Sequence, residues 1–202
     1  MNGKGRVRTA IRHQKTDRVP YFVDFTFAVQ DRLATHYGNM DVNRAVGNDM
    51  FVILVNSVGG LRPENYDGGV WKDDFGVIWT NLWNDRGQIL ESPVKKPSLN
   101  GYMFPDPADA NRFDRIPALL DKNNDLFTVA VFGDFFERAN FMRGFQNFLT
   151  DFYKCPEFVE ELLERLLEYN LWTIDHLMDN YSFDGFILSD DYGTQKDLMI
   201  PH

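Results

Sequence analysis

Four runs of apolar residues along the chain predict buried strands. They cover residues 19–27, 49–56, 126–132 and 183–189, and they are rich in β-branched and aromatic residues. Because a run that is apolar at nearly every position suits a strand covered on both faces, these runs predict a parallel sheet between layers of helices.

The stretches between these runs carry helical patterns. The strongest pattern extends from Pro156 to Asn180, where Phe158, Leu162 and Leu166 recur at a four-residue spacing. A proline suits the first helical position, so this helix is predicted to begin at Pro156. Further helices are predicted over residues 6–13, 30–37, 41–46, 108–114, 117–122 and 135–153.

A different pattern lies between the second and third predicted strands. Residues 69–83 and 87–94 read as two extended arms of a β-hairpin, with Asn84, Asp85 and Arg86 at the turn. We expect its tryptophans to form the packed face of the hairpin rather than to line a flat ligand.

Length and strand pattern together predict an incomplete barrel. A complete (β/α)₈ barrel needs about 250 residues, whereas this chain has 202. We therefore expect an α/β fold, a TIM (β/α)₈ barrel represented by about its first four βα units plus the inserted hairpin, and a single domain over residues 1–202.

Composition excludes several classes of protein. The net charge of −9 and the scattered lysines and arginines argue against a nucleic-acid partner. The single cysteine, Cys155, excludes an internal disulfide. No apolar run approaches the roughly 20 residues that span a bilayer, so we expect no membrane partner and a cytoplasmic protein.

Four segments, in this order, resemble the uroporphyrinogen decarboxylase superfamily. They are a short helix followed by Asp17-Arg18-Val19-Pro20, the Asp73–Val77 segment with Trp79, residues 132–144, and residues 189–195 (SDDYGTQ). The last segment is similar to the methyltransferase-like branch of that superfamily. The resemblance implies a barrel of the uroporphyrinogen decarboxylase type.

The resemblance implies one of two chemistries. The first is methyl transfer, dependent on zinc, between a corrinoid such as methylcobalamin and a thiol or methoxylated compound. The second is decarboxylation of uroporphyrinogen III in porphyrin biosynthesis. The decarboxylases carry an arginine clamp after the first strand, where this chain has residues 24–28 (DFTFA). The missing clamp favours the methyltransferase.

The zinc ligands of that branch, a histidine and two cysteines, belong to the second half of the barrel. We therefore assign no metal ligand within this chain and expect zinc and a corrinoid only in the full-length protein. Expected partners are a small-molecule substrate or a corrinoid protein. A third hypothesis is a non-catalytic half-barrel that forms a homodimer to cover its exposed strand edges.

Candidate catalytic residues follow the fourth strand, because barrel active sites lie at the carboxyl ends of the strands. Asp190 and Asp191 occupy that position. A carboxylate there can orient a polar substrate group. The alternative is that residues 190–193 form a turn that caps the next helix.

Candidate substrate-binding residues complete the predicted site. They are Asp24 and Asn56 at the ends of the first two predicted strands, Phe141 at the position of a decarboxylase tyrosine, and Tyr192 and Gln195 after the fourth strand. Glu137 on the helix after the third strand is a further candidate for a pocket-facing carboxylate, but its neighbour Arg138 favours a surface ion pair instead.

Overall fold

The computed structural model describes residues 1–38, 41–55, 69–80 and 87–200. The elements, in chain order, are α1 (Gly3–Ile11), α2 (Phe27–His36), α3 (Val42–Ala45), β1 (Met50–Leu54), β2 (Val70–Lys72), β3 (Ile78–Thr80), β4 (Ile89–Glu91), a 3₁₀ helix (Ala110–Arg112), α4 (Ile116–Lys122), β5 (Phe127–Gly133), α5 (Phe136–Arg143), α6 (Phe145–Lys154), α7 (Pro156–Asn180) and β6 (Gly185–Ser189).

The main sheet has three parallel strands in the order β1-β5-β6. Met50 lies opposite Phe127, and Gly133 lies opposite Ser189, so the three carboxyl ends meet at one edge. The predicted α/β fold with a parallel sheet is confirmed.

The two faces of this sheet are covered differently. Ile53, Ala130 and Phe132 pack with Leu177 of α7 on one face. On the other face, Val7 of α1 packs against the amino half of β5. The carboxyl half of that second face is partly open. There Leu54, Val131 and Ile187 form one row across the three strands, and Leu54 and Ile187 are 42% and 40% exposed.

The segment predicted as the first strand, residues 19–27, is not a strand. Tyr21 and Val23 donate their backbone N–H groups to the side chains of Asp49 (3.0 Å) and Asn48 (2.9 Å). The Asp49 N–H donates to the Tyr21 carbonyl at 3.0 Å, but side chains occupy the amides of Tyr21 and Val23. The segment is therefore not a strand of the sheet, and α2 begins at Phe27. The described residues therefore hold three parallel strands and form no closed barrel.

The predicted hairpin is a three-stranded antiparallel sheet, with the order β2-β3-β4. Its first turn lies inside the arm predicted as continuous. The Asp73 carboxylate accepts a bond from the backbone of Val77 at 2.9 Å, and Gly76 has a φ of +83°. The predicted turn at residues 84–86 lies outside the described residues. Phe75, Val77 and Trp79 join a buried cluster with α5, α6 and α7.

Two helix predictions differ from the structure in detail. The single helix predicted over residues 135–153 is divided at Gly144, whose φ of +86° suits glycine and interrupts the helix. Residues 108–114 contain only the short 3₁₀ helix. The predicted limits of α7, Pro156 and Asn180, are confirmed. Among the described residues, no helix is long and apolar enough to cross a membrane.

The amino edge of the sheet is held by ion pairs to α1 and the segment after it. Arg6 pairs with Asp49 and with Asp17, and Arg18 also pairs with Asp49 at 2.7 Å. Asp49 is 1% exposed in its side chain. The hydrogen bond from Arg6 lowers the pKa of Asp17 well below its usual range. The negative charges of Asp17 and Asp49 at this edge are therefore balanced by Arg6 and Arg18.

Asp184 makes a second anchor at the same edge, just before β6. Its carboxylate forms ion pairs with Lys4 at 3.0 Å and Arg8 at 2.6 Å, both from α1. Burial acts to raise its pKa, but bonds from Thr128, Lys4 and Arg8 outweigh burial and the pKa is lowered. Helix α1 is thereby fastened across the amino ends of β1 and β6.

Candidate functional site

The carboxyl edge of the sheet is shaped by an unusual backbone at the end of β5. Gly133 and Asp134 both have positive φ, +117° and +52°. A Cβ on Gly133 would lie 3.3 Å from the backbone nitrogen of Ser189, a tight contact, and residues with a side chain rarely adopt its φ, so glycine suits this position. Asp134 donates its N–H to the Ser189 carbonyl at 2.9 Å. This backbone turns the chain from β5 into α5 directly beside the end of β6.

Asp190, which follows β6, caps helix α5. One carboxylate oxygen accepts from the backbone of Phe135 at 2.9 Å and of Phe136 at 2.7 Å, and the other accepts from Glu137 at 2.8 Å. The first N–H groups of a helix have no partner inside it and lie at the positive end of its dipole, so a carboxylate stabilises them. Asp190 therefore fixes the start of α5 to the end of β6. The alternative prediction, a turn that caps the next helix, is wrong for the described residues, because Asp190 caps α5, which precedes it in the chain, and no helix follows β6 up to residue 200.

Asp191 and Tyr192 extend outward from the same edge. Asp191 is exposed and accepts a bond from the Gly193 backbone at 3.1 Å. The Tyr192 ring lies 5.6 Å from that of Phe136. Partial burial, together with a hydrogen bond to Asp190, raises the pKa of the Tyr192 phenol to about 12. The phenol is therefore a neutral hydrogen-bonding group at physiological pH.

Gln195 lies further along the same segment, at the tip of a turn. Gly193 and Leu198 pair across that turn, and the Thr194 N–H bonds to the Asp197 carbonyl at 2.7 Å. Gln195 itself is exposed. The structure thus brings Asp190, Asp191 and Tyr192 together and carries Gln195 on the adjacent loop.

Two other predicted substrate residues, Asp24 and Phe141, make their contacts elsewhere. Asp24 is exposed, and its carboxylate bonds locally, to the Phe25 backbone at 2.8 Å. Phe141 packs edge-on against Trp79, with ring centroids 5.0 Å apart, and belongs to the partly buried layer around the core. Asn56 lies outside the described residues. Their roles as substrate contacts stay predictions.

Arg138 is the residue that sequence reasoning missed. It was expected on the surface, but its side chain is only 12% exposed and bridges Asp73 at 2.8 Å and Asp134 at 3.2 Å. The Trp79 indole N–H also donates to Asp73, at 3.1 Å. Arg138 therefore joins the antiparallel sheet to the end of β5. The four-residue spacing between Asp134 and Arg138 on a predicted helix was the signal available for that pair.

A second buried arginine lies at the carboxyl end of β1. Arg112 donates to the carbonyl of Val55 at 3.3 Å and to the hydroxyl of Thr173 at 3.2 Å. Its guanidinium lies 4.6 Å from the ring centre of Tyr169. The Nε of Arg112 and the phenol oxygen of Tyr169 are buried without a hydrogen-bond partner. Burial lowers the pKa of Arg112 and raises that of Tyr169 to about 12.

The carboxyl edge carries exposed polar groups and a partly open apolar row. Asp191 and Tyr192 follow β6 and are exposed. Leu54, Val131 and Ile187 form a row across one face of the sheet, with Leu54 and Ile187 partly open to solvent. Within residues 1–38, 41–55, 69–80 and 87–200, no three His, Cys, Asp or Glu side chains form a group that could hold a metal ion.

Comparison with known proteins gives a likeness in fold. No protein-family model and no curated protein matches the chain. The solved structure of a methyltransferase from Methanosarcina mazei matches it with a TM-score of 0.60 and 16% sequence identity. The match covers 98% of this chain and 62% of that chain. The protein therefore shares a mixed α/β fold with a methyltransferase and spans 62% of that enzyme's length.

Proposed function

We propose that this chain is the substrate-binding portion of a methyltransferase with a uroporphyrinogen-decarboxylase-type barrel. The observation that carries the proposal is the likeness in fold to a methyltransferase over 98% of the chain. The carboxyl edge adds to it, because functional residues of parallel α/β barrels lie at that edge. The missing arginine clamp at residues 24–28 also favours methyl transfer over decarboxylation.

In this proposal the residues of the edge have separate roles. Asp190, whose oxygens are occupied by the α5 amides, is a positioning residue. Asp191 and Tyr192 touch the polar end of the substrate, while Leu54 and Ile187 contact its apolar part. Asp24, Asn56, Phe141 and Gln195 complete the expected set of substrate contacts.

Zinc and a corrinoid belong to the proposal for the whole enzyme. The described residues do not fit a zinc site, so its ligands are assigned to none of them. When bound, zinc would lower the pKa of a thiol, and the thiolate would take a methyl group from the corrinoid cobalt. The residues described above bind and orient the thiol or methoxylated substrate.

The test is a reaction assay on the complete protein. Incubation with methylcobalamin, zinc and a small thiol is expected to consume methylcobalamin and to yield one thioether for each methyl group lost. Asp191→Asn and Tyr192→Phe should each lower kcat/KM by about tenfold or more. Asp197→Asn, an exposed carboxylate change in the same loop, is the matched control. Release of CO₂ from uroporphyrinogen, without thioether formation, would contradict the proposal.

A second candidate is the non-catalytic half-barrel that forms a homodimer. The exposure of β6 favours it, since Phe186, Ile187 and Leu188 are 40%, 40% and 64% exposed on a strand that pairs with β5 on one side. An exposed apolar edge strand is a site for pairing with another chain. Light scattering after size exclusion tests it. A dimer that is abolished by Leu188→Lys would support this candidate, and a stable monomer would argue against it.

A further inference from the structure

The outer face of α7 carries a continuous apolar row. Its members lie within an arc of about 80° at the helical repeat of 3.6 residues, and they are Leu163, Leu167, Leu171, Ile174 and Met178. Leu163 and Ile174 are partly buried and also pack against the core. Leu167, Leu171 and Met178 are 43%, 49% and 63% exposed. The row is about 22 Å long at 1.5 Å per residue. Three large apolar side chains are thus exposed on one side of α7, where a partner could cover them.

The first half of this row borders a groove. The groove has a volume of about 470 Å³ and is lined by Leu163 and Leu167 of α7. Its remaining lining residues are Phe135, Phe152, Pro156, Val159, Glu160 and Glu164. The groove is therefore mostly apolar and carries two carboxylates, a composition that suits one face of an amphipathic helix.

The charge beside the row identifies the kind of helix that fits. Helix α7 has seven exposed acidic residues, namely Glu157, Glu160, Glu161, Glu164, Glu168, Asp175 and Asp179. Its single arginine, Arg165, is already paired with Glu168 at 2.8 Å. A second copy of this chain would set two acidic helices against each other, within a pair of molecules of net charge −9 each. A helix bordered by lysine or arginine would instead meet opposite charge along the whole row.

We propose that the outer face of α7 is the docking surface for a basic amphipathic helix of a partner protein. The partner's apolar side chains fill the groove and cover Leu167, Leu171 and Met178, and its basic side chains meet Glu160 and Glu164. This surface lies on the helical layer, away from the row of Leu54, Val131 and Ile187 on the opposite face of the sheet. The inference does not depend on the proposed methyltransferase activity.

The test uses two synthetic helices as probes. Each has about 18 residues, enough to span the row, with leucine at the i, i+3, i+4, i+7 positions. One helix carries lysine at all other positions, and the second helix carries glutamate at those positions. At about 0.15 M salt, where long-range charge effects are screened, we expect fluorescence anisotropy to show binding of the lysine helix alone. Leu167→Glu and Leu171→Glu should each weaken it by about tenfold or more.

The control distinguishes docking from general attraction between opposite charges. Leu90→Glu places the same charge at another exposed leucine, 55% exposed on β4, and should leave binding unchanged. Circular dichroism and thermal melting verify that each variant is folded. Equal binding of both helices, or equal binding to the wild type and to Leu167→Glu, would overturn the proposal. So would a dimer of the chain that Leu167→Glu dissociates, because a second copy would then occupy the surface.

Discussion

The two edges of the parallel sheet use the same residue type for different purposes. At the amino edge, Asp49 and Asp184 are almost completely buried, with side chains 1% and 3% exposed, and each is paired with two cationic side chains. At the carboxyl edge, Asp190 is satisfied by backbone amides and Asp191 faces solvent. The difference teaches that a carboxylate's partners, rather than its position before or after a strand, decide whether it anchors the fold, and the binding role that we propose falls to the carboxylate that faces solvent.

The largest effect is expected from removing a carboxylate at the amino edge. Asp49→Ala removes the buried carboxylate that Arg6 and Arg18 share and leaves Arg6 with Asp17 alone, and breaking a buried ion pair costs about 3–5 kcal/mol. We expect urea unfolding to show a loss of this order. Asp179→Ala, an exposed change on α7, is the control and should stay within about 0.5 kcal/mol of the wild type. A loss no greater than that of the control would contradict the structural role of this edge.

Next in size is the buried pair that joins the antiparallel sheet to α5. Arg138→Met leaves the Asp73 carboxylate, 6% exposed, with hydrogen bonds but no cation. We expect a loss of about 3 kcal/mol. Much of it should be recovered in the double variant Asp73→Asn with Arg138→Met, as a double-mutant cycle of unfolding free energies would reveal. Strict additivity of the two single changes would mean that the pair is not coupled.

A smaller effect, about 1–2 kcal/mol, is expected from removing the cap of α5 at the carboxyl edge. Asp190→Ala leaves three amides of α5 without their partner, so their hydrogen exchange should become faster, and Asp190→Asn should restore part of the protection. Exchange in α7 serves as the internal reference. Unchanged exchange at Phe136 and Glu137 in Asp190→Ala would show that Asp190 does not hold this helix start.

The amino edge should also govern the response to acid. The folded pKa values of Asp17 and Asp184 are lowered, while an unfolded aspartate titrates near 3.9. The unfolded chain therefore binds more protons below that value, and stability is present above about pH 4 and falls as the pH decreases further. Asp184→Asn should flatten this fall in urea midpoints measured between about pH 5 and pH 2. Parallel curves for variant and wild type would contradict it.

The smallest effect on stability, but a visible one on solubility, is expected at the open strand. Leu188→Lys on β6 should reduce aggregation at high concentration, because charge on an edge strand opposes pairing with other chains. Its unfolding free energy should change by about 0.5 kcal/mol or less. Met103→Lys, at a residue 89% exposed outside both sheets, is the matched control. Equal aggregation of both variants would remove the edge as its cause.

Local signals in the sequence were sufficient for some elements and insufficient for others. Helix α7 was predicted to its end residues because Pro156 and a regular apolar spacing mark it locally. The prediction of a strand over residues 19–27 was wrong, because an apolar, β-branched run forms a strand only where a neighbouring strand accepts its backbone hydrogen bonds. Here the side chains of Asp49 and Asn48 accept the hydrogen bonds of the Tyr21 and Val23 amides instead.

The site residues likewise divide into those that local sequence marks and those that depend on a partner distant in the chain. The cluster of Asp190, Asp191 and Tyr192 was predictable, because it follows an obvious strand. The division of roles was not, since the helix that Asp190 caps begins 54 residues earlier in the chain. Arg138 could not be placed for a similar reason, as its partner Asp73 belongs to a separate sheet.

The most direct test changes one carboxylate at each edge of the sheet in the complete protein and measures both stability and activity. Asp184→Asn and Asp191→Asn are compared by unfolding free energy and by kcat/KM for methyl transfer to a thiol. We predict that Asp184→Asn lowers stability while kcat/KM, measured at a temperature where the variant is folded, stays near that of the wild type. Asp191→Asn should lower kcat/KM by about tenfold or more at an unchanged stability. The opposite pattern, with Asp191→Asn destabilising and fully active, would contradict the division between a structural edge and a binding edge.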